Sequence, residues 1–142
     1  MPVKILLVDD SRTMRRENQR ALERVGYEVV CADDGESALQ LAQSQHFDLI
    51  LLDLMLPKMS GTEVLKHLKS EAKTADIPVV VLSSLCEKNR DKLIEAGAEE
   101  YLEKNSLMPQ RGQNLLPLIL EDLVCRLNRR RGIAFTDVHT SH

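Results

Sequence analysis

The stretch DLILLD, from Asp48 to Asp53, decides the fold class of this 142-residue chain. Every residue between its two aspartates is aliphatic, without the polar alternation of a strand that has one face in water. Such a run is typical of a strand that helices cover on both faces, as in a parallel sheet. Four comparable apolar runs occur elsewhere: Val3 to Val8, Glu28 to Cys31, Ile77 to Leu82 and Glu99 to Leu102.

Amphipathic stretches with helical spacing separate and follow these runs, and glycine ends two of them. Five alternations of strand and helix predict an α/β fold with right-handed crossovers. They are too few for an eight-stranded barrel, so we expect an open, doubly wound, five-stranded parallel sheet, (βα)5. The predicted helices are Arg12 to Val25, Gly35 to His46, Thr62 to Ser70, Asn89 to Ala96 and Leu115 to Arg131.

Bulk composition narrows the class of protein. Hydrophobic residues make up 43% and charged residues 29%, which is ordinary for a folded domain and unlike a disordered chain. The net charge of -3 argues against broad nucleic-acid binding. Three widely spaced cysteines predict free thiols in a reducing cytosol, and no segment is apolar for long enough to span a bilayer. We therefore expect a cytoplasmic protein without a membrane partner.

The length suits one domain, which we place at residues 1–131, with a flexible tail at 132–142. The segment Lys104 to Gly112 predicts a loop. Pro117 fits only in the first turn of a helix, so the last helix should begin near Asn114. No output domain is expected within this length, which leaves a stand-alone regulator or a domain cut from a longer chain.

Polar side chains follow the predicted strands where each strand ends, and these ends meet at one edge of a parallel sheet. A hydroxyl pair, an ammonium group and three carboxylates come together there: Asp9, Asp10, Asp53, Ser83, Ser84 and Lys104. Clustered carboxylates repel one another, and an all-oxygen donor set without His or Cys favours Mg²⁺. Asp53 could then act as a nucleophile towards phosphorus, with Lys104 and Ser83 contacting phosphoryl oxygens.

At this point the chain resembles a known family, the response-regulator receiver domain of two-component systems. The resemblance rests on the order and spacing of several motifs, since a DD pair after a strand is common by itself. The matching motifs are ILLVDDS (Ile5 to Ser11), ADDGESAL (Ala32 to Leu39), DLILLDLMLPKMSG (Asp48 to Gly61), IPVVVLSS (Ile77 to Ser84) and GAEEYLEK (Gly97 to Lys104).

The resemblance implies a role for each matching residue. It makes Asp53 the phosphoacceptor and Lys104 the invariant lysine. It makes Asp10, Asp53 and the backbone carbonyl of Met55 direct ligands of Mg²⁺, with Asp9 acting through a metal-bound water. Two further residues, Ser83 and Tyr101, match the switch hydroxyl and the aromatic residue that turns inward on activation.

The resemblance also implies the flavodoxin-like strand order 2-1-3-4-5. The implied phosphodonor is a phosphohistidine on a histidine kinase or phosphotransfer protein. The implied output is a downstream protein target bound by the fourth helix, fifth strand and fifth predicted helix. The domain would catalyse only its own phosphorylation and dephosphorylation, so we do not class it as an enzyme. A homodimer is compatible with the sequence, and nucleic acid is the least favoured partner.

One departure and three alternatives accompany this interpretation. The family usually has proline after the lysine, often with a cis peptide bond. Here Asn105 follows Lys104. A cis bond before a residue other than proline costs about 3 kcal/mol, so we expect a trans bond.

A haloacid-dehalogenase-type phosphatase would need D-x-D on one strand, whereas Asp9 and Asp10 are adjacent. A phosphorylation-independent interaction module fits a degraded site better than this intact one. Nucleotide binding would need a glycine-rich loop after the first strand.

Overall fold

Five parallel strands form one sheet in the computed structural model, which describes residues 3–83, 90–107 and 114–130. The strand order is β2-β1-β3-β4-β5, as the family resemblance implies. The strands lie within one or two residues of the predicted apolar runs. They are β1 (Lys4–Val8), β2 (Glu28–Ala32), β3 (Leu49–Asp53), β4 (Val79–Ser83) and β5 (Glu100–Glu103).

Helices cover both faces of the sheet, and this accounts for the unbroken aliphatic runs. Residues alternate along β1 and β3: Leu6 and Ile50 join the core on one face, whereas Leu7 and Leu51 join the core on the other. The first core includes α2 (Gly35–Ser44), α3 (Gly61–Ser70) and α4 (Arg90–Glu95); the second includes α1 (Arg12–Arg24), α5 (Lys104–Leu107) and α6 (Leu116–Arg130).

Side chains at the strand-to-helix turns cap the helices that begin there. Ser11, Asp34 and Ser60 each accept a hydrogen bond from a backbone N–H three residues further on. These bonds satisfy donors that the first helical turn leaves open. The caps fix where α1 and α3 start relative to β1 and β3, and therefore how the turns beside the sheet edge run.

The segment that follows β5 differs from the prediction. Lys104 to Gly112 was expected to be a loop, yet Lys104–Leu107 forms the short helix α5. Its last residue, Leu107, is buried in the core with α6, and tertiary packing thus stabilises a turn too short to show periodicity in the sequence. The backbone N–H of Leu115 donates to the carbonyl of Leu107 at 2.7 Å, which ties the start of α6 to α5.

The start of α6 agrees with the prediction. Asn114 accepts a hydrogen bond from the N–H of Leu116 at 3.0 Å and donates to Asn18 of α1 at 2.8 Å. Pro117 is the second residue of α6, where its missing N–H breaks no helical bond. The described residues contain no cis peptide bond, in line with the trans bond expected before Asn105.

Several predictions fall on residues outside the described ranges. Ser84 and the proposed tail at 132–142 belong to this group, as does the domain boundary at residue 131. Within residues 3–83, 90–107 and 114–130, no helix combines the length and apolarity that crossing a bilayer requires.

Candidate functional site at the carboxyl edge of the sheet

The fold brings the predicted polar residues to one edge of the sheet. Asp9 follows β1, Asp53 ends β3, Ser83 ends β4 and Lys104 follows β5. Three of these are almost completely buried, with exposed fractions of 0% for Asp9, 2% for Asp53 and 0% for Ser83. Buried polar side chains at the ends of central strands are rare unless they are paired, and they therefore mark this edge.

Three carboxylates lie close together at this edge. One carboxylate oxygen from each of Asp9, Asp10 and Asp53 lies within 4.8 Å of the others. Asp10 is exposed, so the cluster reaches from the buried sheet edge to solvent. The donors are oxygens only, which is the set that Mg²⁺ prefers, and the residues present therefore fit such an ion.

Lys104 is the cation that faces these acids. Its Nζ lies 2.8 Å from Oδ2 of Asp53 and 3.2 Å from Oδ2 of Asp9, and it bridges the two buried carboxylates. The lysine comes from the far side of β4, since β5 lies beyond it in the sheet. One ammonium group among three carboxylates leaves the site with excess negative charge.

Backbone N–H groups hold the other oxygens of the two buried carboxylates. Oδ1 of Asp53 accepts from the N–H of Met55 at 3.0 Å, and Oδ1 of Asp9 accepts from the N–H of Ser11 at 2.9 Å. The start of α3 packs directly against the backbone of β3. A Cβ on Gly61 would lie 2.6 Å from Cα of Leu54, so only glycine fits there.

Burial and the neighbouring charges oppose each other at both Asp53 and Lys104, and the pKa of each group is raised. Burial raises the pKa of Asp53 above its usual range; the Lys104 ammonium and the Met55 N–H oppose this, and Asp9 adds to it. Burial by itself would lower the pKa of Lys104, yet the carboxylates of Asp53 and Asp9 raise it above its ordinary value. The lysine is therefore charged, and the negative charge of Asp53 is costly in the absence of a further cation.

Arg15 is a residue of this site that sequence reasoning missed. Its Nη1 donates to the backbone carbonyl of Asp9 at 2.8 Å and holds the turn between β1 and α1. The nearby Arg12 and Arg16 are exposed and make no such contact. Nothing in the sequence separates these three arginines, because only the packing of α1 decides which one faces the turn.

The remaining predicted residues lie around this cluster. Ser83 is buried beside β5, where its register partner is Glu103. Tyr101 is 6% exposed and packs in the core that includes Val81 and Leu93. The side chain of Met55 is exposed, and its backbone N–H bonds Asp53.

Comparison with known proteins shows which family has this fold and this cluster of polar residues. The family model of the response regulator receiver domain matches residues 5–113, which include the carboxylate cluster and Lys104. The chain belongs to the response regulator receiver domain family. Members of this family are the phosphoacceptor domains of two-component response regulators, and the strand order of this receiver domain is the one that the resemblance implies.

Named relatives and solved structures agree with this assignment. The response regulator MprA of Mycolicibacterium vanbaalenii is 38% identical over 133 residues, which cover 89% of this chain and 49% of that relative. The receiver domain described here thus spans about half the length of that relative. Its fold resembles the chemotaxis protein CheY4 of Vibrio cholerae, with a TM-score of 0.72 and 30% identity over 84% of this chain and 94% of that one.

A further structural neighbour holds a metal ion. It is the receiver domain of a sensor histidine kinase from Pseudomonas aeruginosa, with a TM-score of 0.73 and 25% identity over 89% of this chain and 97% of that one. That neighbour has a magnesium ion coordinated in its active site cleft. The oxygen-only cluster in this receiver domain is compatible with the same kind of ion.

Proposed function

We propose that this receiver domain accepts a phosphoryl group on Asp53 from a phosphohistidine of a partner histidine kinase or phosphotransfer protein. A carboxylate oxygen of Asp53 forms the new P–O bond. The P–N bond of the donor breaks, and its electron pair stays on the imidazole nitrogen. The observation that carries the proposal is the contact between Lys104 and buried Asp53 beside two further carboxylates.

Each residue of the cluster has a part in this proposal. Lys104 now contacts Oδ2 of Asp53, and it would exchange that contact for a phosphoryl oxygen as the group arrives. Oδ1 of Asp53 is oriented by the Met55 N–H, which keeps the nucleophile in one position. Arg15 and the N–H of Ser11 act as positioning groups, because they hold Asp9 in place.

Mg²⁺ is the cofactor in this proposal. Asp10, Asp53 and the backbone carbonyl of Met55 would hold it directly, and Asp9 would contribute through a water molecule. When bound, the ion offsets the charge of the carboxylates and of the incoming phosphoryl oxygens. The excess negative charge at this edge supports this assignment, since three carboxylates face a single ammonium group.

Ser83 and Tyr101 are the proposed switch residues. Both side chains are buried. Tyr101 lies in β5, and Lys104 directly follows the end of this strand. A phosphoryl group on Asp53 would bias the receiver between two states through these side chains and present a surface to a downstream protein. In this proposal the domain catalyses only its own phosphorylation and dephosphorylation.

The test is intact-mass measurement after incubation with acetyl phosphate and Mg²⁺. Wild type should gain one phosphoryl group, and Asp53→Asn should gain none. Asp48→Asn is the matched control, because Asp48 directly precedes β3, at the opposite edge of the sheet. Chelation of the metal should abolish the gain. Phosphorylation of Asp53→Asn at the wild-type rate would place the acceptor elsewhere and overturn the proposal.

A further inference from the structure

A cavity of about 350 Å³ lies between α3 and α4, beside the residues that follow β3. It adjoins the carboxylate cluster, because Leu54 and Met55 follow Asp53 directly, but no acidic residue among the described ones lines it. Small-molecule sites in proteins occupy about 300–1,000 Å³, and this cavity falls within that range.

The inner wall of the cavity is apolar. Leu54 and Leu93 form part of it and are buried, whereas Met55 and Ala96 lie nearer to solvent. Met55 is 57% exposed, so part of this apolar wall faces water. A ligand with an apolar body would remove this surface from water, at about 25 cal/mol for each Å² covered.

Two lysines supply all the formal charge among the described residues that line the cavity. Lys66 of α3 and Lys92 of α4 face the cavity from opposite helices, and Thr62 adds a hydroxyl group. Neither ammonium group forms a salt bridge or hydrogen bond with another residue in the described ranges. Apolar walls with two unpaired cations attract an anion that carries its own apolar surface.

We propose that this cavity binds a small molecule with an apolar body and one carboxylate. The apolar body lies against Leu54 and Leu93, and the carboxylate lies between Lys66 and Lys92. The volume lies within the range of small-molecule sites. Among the described residues of the lining, two cations and no carboxylate favour an acid over a neutral ligand. The site does not depend on phosphorylation of Asp53, so it can be tested on the unmodified protein.

The experiment is an amide-resolved NMR titration of the unphosphorylated protein with naphthylacetate and, separately, with its neutral amide. Shifts with the acid should concentrate at residues 54–66 and 92–96. Lys66→Gln and Lys92→Gln should each weaken binding about two- to fivefold, the range of a partly exposed ion pair. Lys73→Gln is the matched control, because Lys73 is an exposed lysine that does not line the cavity.

Three results would overturn the proposal. The first is no saturable shift at millimolar acid, and the second is equal binding of acid and amide. The third is an affinity that neither Lys66→Gln nor Lys92→Gln changes. Binding of an acidic, apolar peptide in place of the small acid would instead identify the cavity as a contact for a partner protein. The titration uses unphosphorylated protein, so its result does not depend on whether Asp53 accepts a phosphoryl group. Each of the two proposals can therefore be wrong while the other is right.

Discussion

The two edges of the sheet use the same kinds of charged residue in opposite ways. At the amino edge, Lys4 lies 3.6 Å from Glu28, and both side chains reach solvent. At the carboxyl edge, Lys104 lies 2.8 Å from Asp53, and the lysine side chain is only 16% exposed. The exposed pair is balanced and screened by water, whereas the buried cluster has one cation for three acids.

This difference separates a structural edge from a functional one. Exposed pairs contribute little to stability, and their loss is tolerated. Buried carboxylates lose their hydration and repel one another, so the receiver fold holds them at a cost. The proposed phosphoryl chemistry would explain why the fold keeps these buried carboxylates. A partly dry, negatively charged site is suited to binding a divalent cation.

The largest expected effect on stability comes from removing Lys104, the cation of the carboxyl edge, and the matched comparison removes Lys4 at the amino edge. Lys104→Met leaves Asp53 and Asp9 buried without their partner, and we expect the free energy of unfolding at pH 7 to fall by about 3 kcal/mol. Lys4→Met should cost less than about 1 kcal/mol. Urea unfolding followed by circular dichroism measures both. Equal losses for the two variants would remove the distinction between the edges.

Mg²⁺ should stabilise the carboxyl edge specifically. At a free concentration of about one hundred times its Kd, the ion should raise the free energy of unfolding by about 2.7 kcal/mol. The gain should persist in Lys4→Met and be largely lost in Asp10→Asn, because Asp10 is the exposed acid of the cluster. Thermal unfolding with and without the ion provides the comparison, with matched ionic strength. An unchanged Tm in wild type would contradict the proposed metal site.

Neutralising one buried acid should stabilise the protein. We expect Asp53→Asn to raise the free energy of unfolding at pH 7 by about 1.5 kcal/mol, because it removes a charge whose burial is costly and leaves Lys104 paired with Asp9. Asp48→Asn should instead lower it slightly, because Asp48 accepts hydrogen bonds from the Lys4 N–H and from His46. Chemical unfolding of both variants checks the opposite signs.

The effect of Asp53 on stability should also appear in the pH dependence of the free energy of unfolding. The pKa of Asp53 is raised above 3.8 in the folded state, mainly by burial, so the folded protein holds this proton more tightly than the unfolded chain. The stability contributed by this group is present below pH 3.8 and is lost as pH rises through the folded pKa. Asp53→Asn should lack this loss. A pH profile parallel to wild type would show that another group causes it.

The smallest effect concerns the arginine that holds the turn after β1. Arg15→Gln should lower the free energy of unfolding by about 1 kcal/mol, because it removes the 2.8 Å bond to the carbonyl of Asp9. Arg16→Gln is the matched control on the same helix, and it should change stability by only a few tenths of a kcal/mol. The rate of phosphorylation with acetyl phosphate should also fall in Arg15→Gln alone. Equal rates would leave Arg15 with a structural role only.

Much of the fold could be predicted from the sequence. The aliphatic runs placed each strand to within one or two residues, and the residues after them placed the candidate site. Pro117 indicated the start of the last helix, because its fixed backbone angle and missing N–H restrict it to the first turn. The segment after Lys104 could not be predicted, since a four-residue helix has no readable period and depends on the burial of Leu107.

The sequence by itself determined which residues reach the carboxyl edge, because strand ends and side-chain alternation follow from local periodicity. Tertiary structure alone decided how they pair there. Lys104 meets Asp53 and Asp9 only because β5 and β1 lie on opposite sides of β3 and β4 in one sheet. Arg15 faces the turn, and Arg16 faces solvent, because α1 packs on that sheet at one particular rotation. Such choices depend on contacts between segments far apart in the chain, and local patterns carry no information about them.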